Sequence, residues 1–157
     1  MLNRDTIALT GFLILCLGVG AIGGITTAET VGSWYQTLVR PSFNPPDWIF
    51  GPVWTALYIL MAFAGWRVWK SDQAPGRGRA LMLFGIQLAF NLIWSQIFFG
   101  LQQVVFAFLD IILLDVAVIA TLFFFRQIDR VAGWLFVPYL VWILFATFLN
   151  AAIWYLN

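Results

Sequence analysis

Three tryptophans, Trp54, Trp94 and Trp142, lie deep inside long apolar runs, and each shares a helical stripe with hydrogen-bonding groups. At a spacing of three or four residues, Trp94 falls with Gln87, Asn91, Ser95 and Phe98, and Trp142 with Tyr139, Ala146 and Asn150. Trp54 falls with Phe50, Tyr58 and Met61. Amides are costly against lipid and turn toward a bundle interior. Two readings of the stripes stand side by side. In one, the amides and indoles bond neighbouring helices to each other. In the other, flat rings wall a cavity in which a few polar anchors hold a planar, apolar ligand, and small Ala146 leaves it room. The second reading makes Phe50, Trp54, Tyr58, Asn91, Trp94, Trp142, Ala146 and Asn150 candidate ligand-binding residues.

Other chemistry is scarce. Histidine is absent, which removes imidazole acid–base catalysis, zinc sites with His ligands and a proximal haem histidine. The single cysteine, Cys16, sits in an apolar run, so neither a disulfide framework nor metal-ligand spacing is present, and no metal site is expected. Asp110 and Asp115 are five residues apart, about 140° around a helix of 3.6 residues per turn, and so form no paired carboxylate site. Asp110 is expected to hydrogen-bond a neighbouring helix. Asp115 has no evident role.

These residues need helices in lipid to position them. The 157 residues are 62% hydrophobic and 10% charged, with a mean hydropathy of +0.92; soluble domains are about half apolar and a quarter charged. Net charge of +1 gives no reason to expect nucleic-acid binding. The reading is an all-α, polytopic membrane protein. A single domain over 1–157 holds five transmembrane helices at roughly 6–25, 48–66, 80–99, 104–125 and 131–155. The first run exceeds a signal-peptide core and is read as a mature helix. These runs lack the alternation of barrel strands.

The connections carry the polar residues. A long outer loop spans 26–47, the segment 70–79 is a Pro/Gly-rich turn, and 100–103 and 126–130 are tight hairpins. Five spans put the termini on opposite sides. The amino-terminal side then holds Arg4, Arg67, Lys70, Arg77, Arg79, Arg126 and Arg130, and the other side Arg40 alone. The positive-inside rule predicts a cytoplasmic amino terminus and an external carboxyl terminus. Trp66, Trp69 and Trp134 at one interface, and Trp48 and Trp154 at the other, read as aromatic belts. Pro52 and Pro138 predict bends within their helices. Gly20 with Gly24, and Gly85 with Ala89, have the small-xxx-small spacing of close helix contacts, within the chain or between copies.

Three motifs in order carry a resemblance over nearly the whole chain: WYQTLVRPSFNPPDWIFGPVW from Trp34, FNLIWSQIFFG from Phe90, and VPYLVWILFATFLN from Val137. The sequence resembles the TspO/MBR family, the tryptophan-rich sensory or translocator proteins. The resemblance implies a five-helix bundle, commonly dimeric, that binds porphyrins such as protoporphyrin IX, haem and, in some members, sterols and isoquinoline-type drugs. Carried over by motif, Trp54, Asn91, Trp94, Trp142, Ala146 and Asn150 line the pocket. Trp34, Pro41 and Phe43 cover its mouth, and Gly85 and Ala89 form the dimer contact. The carboxyl-terminal sterol pattern of animal members lacks its basic residue here, since Tyr155 is followed by Leu156 and Asn157, which argues against sterol binding.

The expected function is a membrane receptor for porphyrin or haem as ligand, with no cofactor required, linked to tetrapyrrole regulation or transport. The rival is a light-dependent porphyrin-degrading enzyme, in which Trp54 and Trp142 serve as electron donors to the photoexcited ligand. A transporter would be expected to show inverted repeats, and none is apparent. Helical spans favour an inner membrane, and the resemblance leaves an outer membrane open.

Overall fold

The computed structural model describes residues 3–157, and they form helices joined by short connections. The elements are α1 (Arg4–Val31), a short α2 (Trp34–Thr37), α3 (Asp47–Lys70), α4 (Arg77–Ser95) continued by a π turn (Gln96–Gly100), α5 (Val104–Ile128) and α6 (Arg130–Leu156). The five long helices, counting α4 with its π turn, are each apolar and long enough to cross a membrane. With no water to satisfy backbone groups in hydrocarbon, such runs must close their hydrogen bonds internally, and the helix does so.

Local chemistry sets the ends. Asn3 caps α1 by accepting from the Thr6 amide at 2.9 Å, and Asp129 caps α6 by accepting from the Ala132 amide at 2.9 Å. Gly76, at φ 80°, makes the left-handed turn before α4. Arg67 and Lys70 fall in the last turn of α3, where the helix dipole favours cations.

The helices outrun the hydropathy-based spans. The largest difference is at α1, which reaches Val31 and so takes up the first part of the expected 26–47 loop. Its polar extension is stable because its hydroxyls have partners. Thr27 donates to Gly23 O at 2.9 Å, and Thr30 donates to Phe99 O at 3.3 Å. Thr26 accepts from Gln96 Nε2 at 2.9 Å. The helix ends at Gly32, whose amide donates to Thr30 O. Helices α3 and α6 continue unbroken through Pro52 and Pro138.

The long helices form a closed ring: α1 packs on α3 and α4, α3 on α6, α6 on α5, and α5 on α4. Below the middle of the bundle, Phe84, Phe125 and Phe136 pack ring on ring, with centroids 5.3–6.2 Å apart. One close approach depends on a missing side chain. A Cβ at Gly20 would come within 2.5 Å of the Tyr58 ring, so glycine lets that ring lie flush on α1. The connection 70–79 and its neighbours are tied by ion pairs, the tightest being Arg67 with Asp129 at 2.8 Å.

The two acids of α5 exchange their expected roles. Asp115 accepts a 2.9 Å hydrogen bond from Thr147 of α6 on one oxygen, whereas Asp110, the residue expected to bond a neighbour, has no such contact among the described residues, and each acid keeps one buried oxygen without a partner. About 140° apart around α5, the two acids meet different neighbours, and the one hydroxyl bonded to either among the described residues is Thr147 of α6.

Candidate functional site

Where α1, α3, α4 and α6 diverge toward the carboxyl-terminal end of α1, they leave a cavity of about 430 Å³ roofed by α2. That is the size range of small-molecule sites, roughly 300–1,000 Å³. Its walls are aromatic. The rings of Trp54 and Trp142 meet edge to face at 6.5 Å, Phe50 meets Trp142 at 6.1 Å, and Trp94 stacks on Phe98 at 5.1 Å.

The π turn shapes one wall. Its wider coil, closed by the Leu101 amide donating to Gln96 O at 2.8 Å, buries the successive residues Phe98 and Phe99 together, with both on the cavity. Such turns recur at functional sites. The α1 wall is the opposite in character, formed by small residues such as Gly20, Ala21, Gly23 and Gly24.

Below the cavity runs a buried polar chain. The Tyr58 hydroxyl donates to Asn91 Oδ1, and Asn91 Nδ2 donates to the Tyr139 hydroxyl at 2.9 Å. Tyr139 donates in turn to Gln87 Oε1 at 2.8 Å, which joins α3, α4 and α6. A second junction lies higher. Trp94 Nε1 donates to Asn150 Oδ1 at 3.1 Å, and Asn150 Nδ2 donates to Val104 O at 3.1 Å. Buried amides cost little when paired and much when orphaned. The amides are therefore held by the protein, while the buried Trp142 indole N–H has no partner.

Of the sequence-predicted residues, Phe50, Trp54, Tyr58, Trp94, Trp142, Ala146 and Asn150 line the cavity together. Asn91 lies behind Tyr58 in the polar chain, outside the lining. Trp34 packs edge-on against Phe98 from outside the lining, at 5.6 Å. Phe43 stacks on Phe148 of α6 at 5.2 Å, both rings exposed and away from the cavity. Pro41 borders a separate polar recess of the loop.

The roof residue over the cavity is instead Tyr35, the neighbour of Trp34. Its hydroxyl donates to Asn44 Oδ1 at 2.6 Å, and the Arg40 guanidinium lies 5.3 Å from its ring centre. Burial pushes the Tyr35 phenol up to about 12. Among the described residues Asp47 is the one charged residue on the lining, held by Gln36 at 2.7 Å and Arg40 at 3.4 Å. Asn157 fixes the same segment: its side chain accepts from the Val39 amide at 2.9 Å and donates to Val39 O at 3.0 Å. Sequence reasoning missed Tyr35 and the α1 wall. The glycine spacing on α1 was visible but equally fits plain helix packing.

Gly85 and Ala89 face outward on α4, and a Cβ at Gly85 would meet nothing within 4 Å.

Five helices long and apolar enough to span a membrane, four of which wall an aromatic cavity, define a polytopic helical membrane protein. Residues 12–156 match the TspO/MBR family, and the chain belongs to it. It is 41% identical to the tryptophan-rich protein TspO of Chlorobaculum tepidum, over 99% of both chains. It is 39% identical to the tryptophan-rich sensory protein of Cereibacter sphaeroides, over 95% of this chain and 90% of that one. To the translocator protein of Homo sapiens it is 39% identical, over 77% of this chain and 73% of that one. The chain thus stands among the membrane sensor and translocator proteins of this family.

Proposed function

We propose that this protein is a membrane receptor that binds a porphyrin, protoporphyrin IX or haem, in the aromatic cavity. The observation that carries the reading is the meeting of Trp54, Trp94 and Trp142 on one cavity whose amides are already bonded to the protein. Such a site offers ring faces and apolar walls, which suit a flat macrocycle. It offers iron little. Among the described residues no Met lines the cavity, and the Tyr35 and Tyr58 hydroxyls are donated to Asn44 and Asn91. Free-base porphyrin therefore binds at least as well as haem. Isoquinoline-type compounds fit the same description, and a sterol fits it less well. The site needs no cofactor.

The test is titration of the purified protein with protoporphyrin IX, haem and a sterol, following quenching of tryptophan fluorescence. Saturable quenching by the porphyrins, stronger than by the sterol, is expected. Equal, non-saturating quenching by all three refutes the reading.

A second reading, light-dependent porphyrin breakdown, draws on the Trp54–Trp142 contact on the lining, which puts two oxidisable indoles beside a bound macrocycle. Illuminating the porphyrin complex separates the two, because only an enzyme yields a defined, protein-dependent product. The receptor is further proposed to be a homodimer through Gly85 and Ala89, with its amino terminus cytoplasmic and in an inner membrane by preference.

A further inference from the structure

Six of the residues on the cavity lining are also exposed on the outside of the bundle, and all six lie on α1 and α3: Leu17, Ala21, Gly24, Ala28, Gly51 and Thr55. Every lining residue contributed by α2, α4, the π turn and α6 is buried or half-buried. The cavity is thus closed above and behind, and open on one side.

The cause is visible in how α1 is held. In its last three turns it leans on α4. A Cβ at Gly23 would lie 3.0 Å from Ser95 Oγ, Thr26 shares hydrogen bonds with Gln96, and Thr30 donates to Phe99 O. Its contact with α3 is tight at Gly20 against Tyr58. One turn further on, a Cβ at Gly24 meets nothing within 4 Å, and neither does one at Gly51 at the same end of α3. The helices part beyond the Gly20–Tyr58 contact. The edges of the gap suit hydrocarbon, because the hydroxyls of Thr27 and Thr55 are donated within their own helices, to Gly23 O and Gly51 O, at 2.9 Å each. Overhead, by contrast, Asn157 clamps Val39 and Tyr35 bonds Asn44.

We infer that the gap between Gly24 and Gly51 is a lateral portal through which the planar apolar ligand reaches the cavity from the hydrocarbon of the bilayer, not from water through the roof. The inference rests on the receptor reading above and adds the route and the residues that set the rate. A macrocycle with a large apolar face partitions into the membrane first, its propionates toward the headgroups, so a side opening presents the site to its most concentrated pool.

The experiment uses the full chain in phosphatidylcholine nanodiscs with protoporphyrin IX as the probe, read by stopped-flow quenching of tryptophan fluorescence. Gly24→Leu and Gly51→Leu each place a side chain in the gap without meeting a neighbouring atom at Cβ. Both association and dissociation should slow by about tenfold, since an obstructed path raises the barrier in both directions. Asn157→Ala frees the roof segment and should leave both rates unchanged. Parental rates in both leucine variants overturn the portal, as does faster association in Asn157→Ala. A raised Kd from faster dissociation alone also overturns it, because the leucine then occupies binding space instead of the path. A parent protein with no saturable quenching overturns the receptor reading itself, which the rates of the variants do not.

Discussion

Replacing Trp142 by alanine tests the cavity most directly. The indole contacts Trp54 at 6.5 Å, Phe50 at 6.1 Å and Phe145 at 5.6 Å and lies on the cavity lining. An aromatic contact contributes about 0.5–1.5 kcal/mol beyond its area. If roughly 60 Å² of the ring is covered by ligand, burial at about 25 cal/mol per Å² adds about 1.5 kcal/mol. The sum, about 2–3 kcal/mol, is an upper bound, because the ligand settles into part of the vacated space. Porphyrin affinity should fall by about 10- to 100-fold, at 1.4 kcal/mol per factor of ten. Ala146→Phe should weaken binding by the opposite means, filling space on the same wall. Trp66→Ala is the control. That indole sits near the other end of α3, donates to Asp5 O at 3.0 Å and lies off the lining. The assay is equilibrium quenching of tryptophan fluorescence, with folding checked by circular dichroism. If folded Trp142→Ala and Ala146→Phe bind like the parent while Trp66→Ala binds poorly, the site lies at the other end of the bundle and the reasoning fails.

Asn91→Leu should lower thermal stability by about 1–3 kcal/mol, since it leaves the buried Tyr58 hydroxyl without its acceptor, yet change porphyrin affinity in the folded fraction by less than about threefold; a large affinity loss at unchanged melting temperature would put Asn91 on the ligand. Burial pushes the Asp129 carboxyl up, but hydrogen bonds from Arg67 and the Ala132 amide, with the Arg67 charge, outweigh it and hold the group below its ordinary value. The stability it contributes is complete above the unfolded-state value of about 3.9 and is lost as pH falls through the folded value. Asp129→Asn should therefore flatten the acid limb of thermal stability against pH, and superimposable limbs for the two proteins count against the pairing. Gly85→Leu or Ala89→Leu should shift detergent-solubilised protein toward monomer by crosslinking, and unchanged crosslinking in both assigns that face to lipid. A reporter fused after Asn157 should be active only outside, and one within 70–79 only inside. Both on one side contradicts five spans.

What the sequence determined by itself is the number and place of the spans and which side chains avoid lipid. Hydrocarbon is a uniform solvent that enforces the helix wherever an apolar run is long enough, so a local property suffices. The stripes worked for the same reason: a 3.6-residue period fixes which residues share a face, and seven of the ten residues drawn from stripes and motifs meet on one cavity. What a neighbour offers cannot be read from one helix. Asn91 and Asn150 were legible as interior amides, but only the packed bundle supplies Tyr58, Tyr139, Trp94 and the Val104 carbonyl that occupy them. Asp115 rather than Asp110 found a hydroxyl because Thr147 of α6 happens to lie beside it. Tyr35 rather than Trp34 closes the roof because α2 is a single turn whose rotation is set by Asn44, Arg40 and the phenylalanines of the π turn. Gly20 and Gly24 are the same residue at the same spacing rule, yet one is pressed on a tyrosine ring and the other borders open space. That difference is a distance between two helix axes, and it is fixed by the hydrogen bonds of α1 to a third helix, α4.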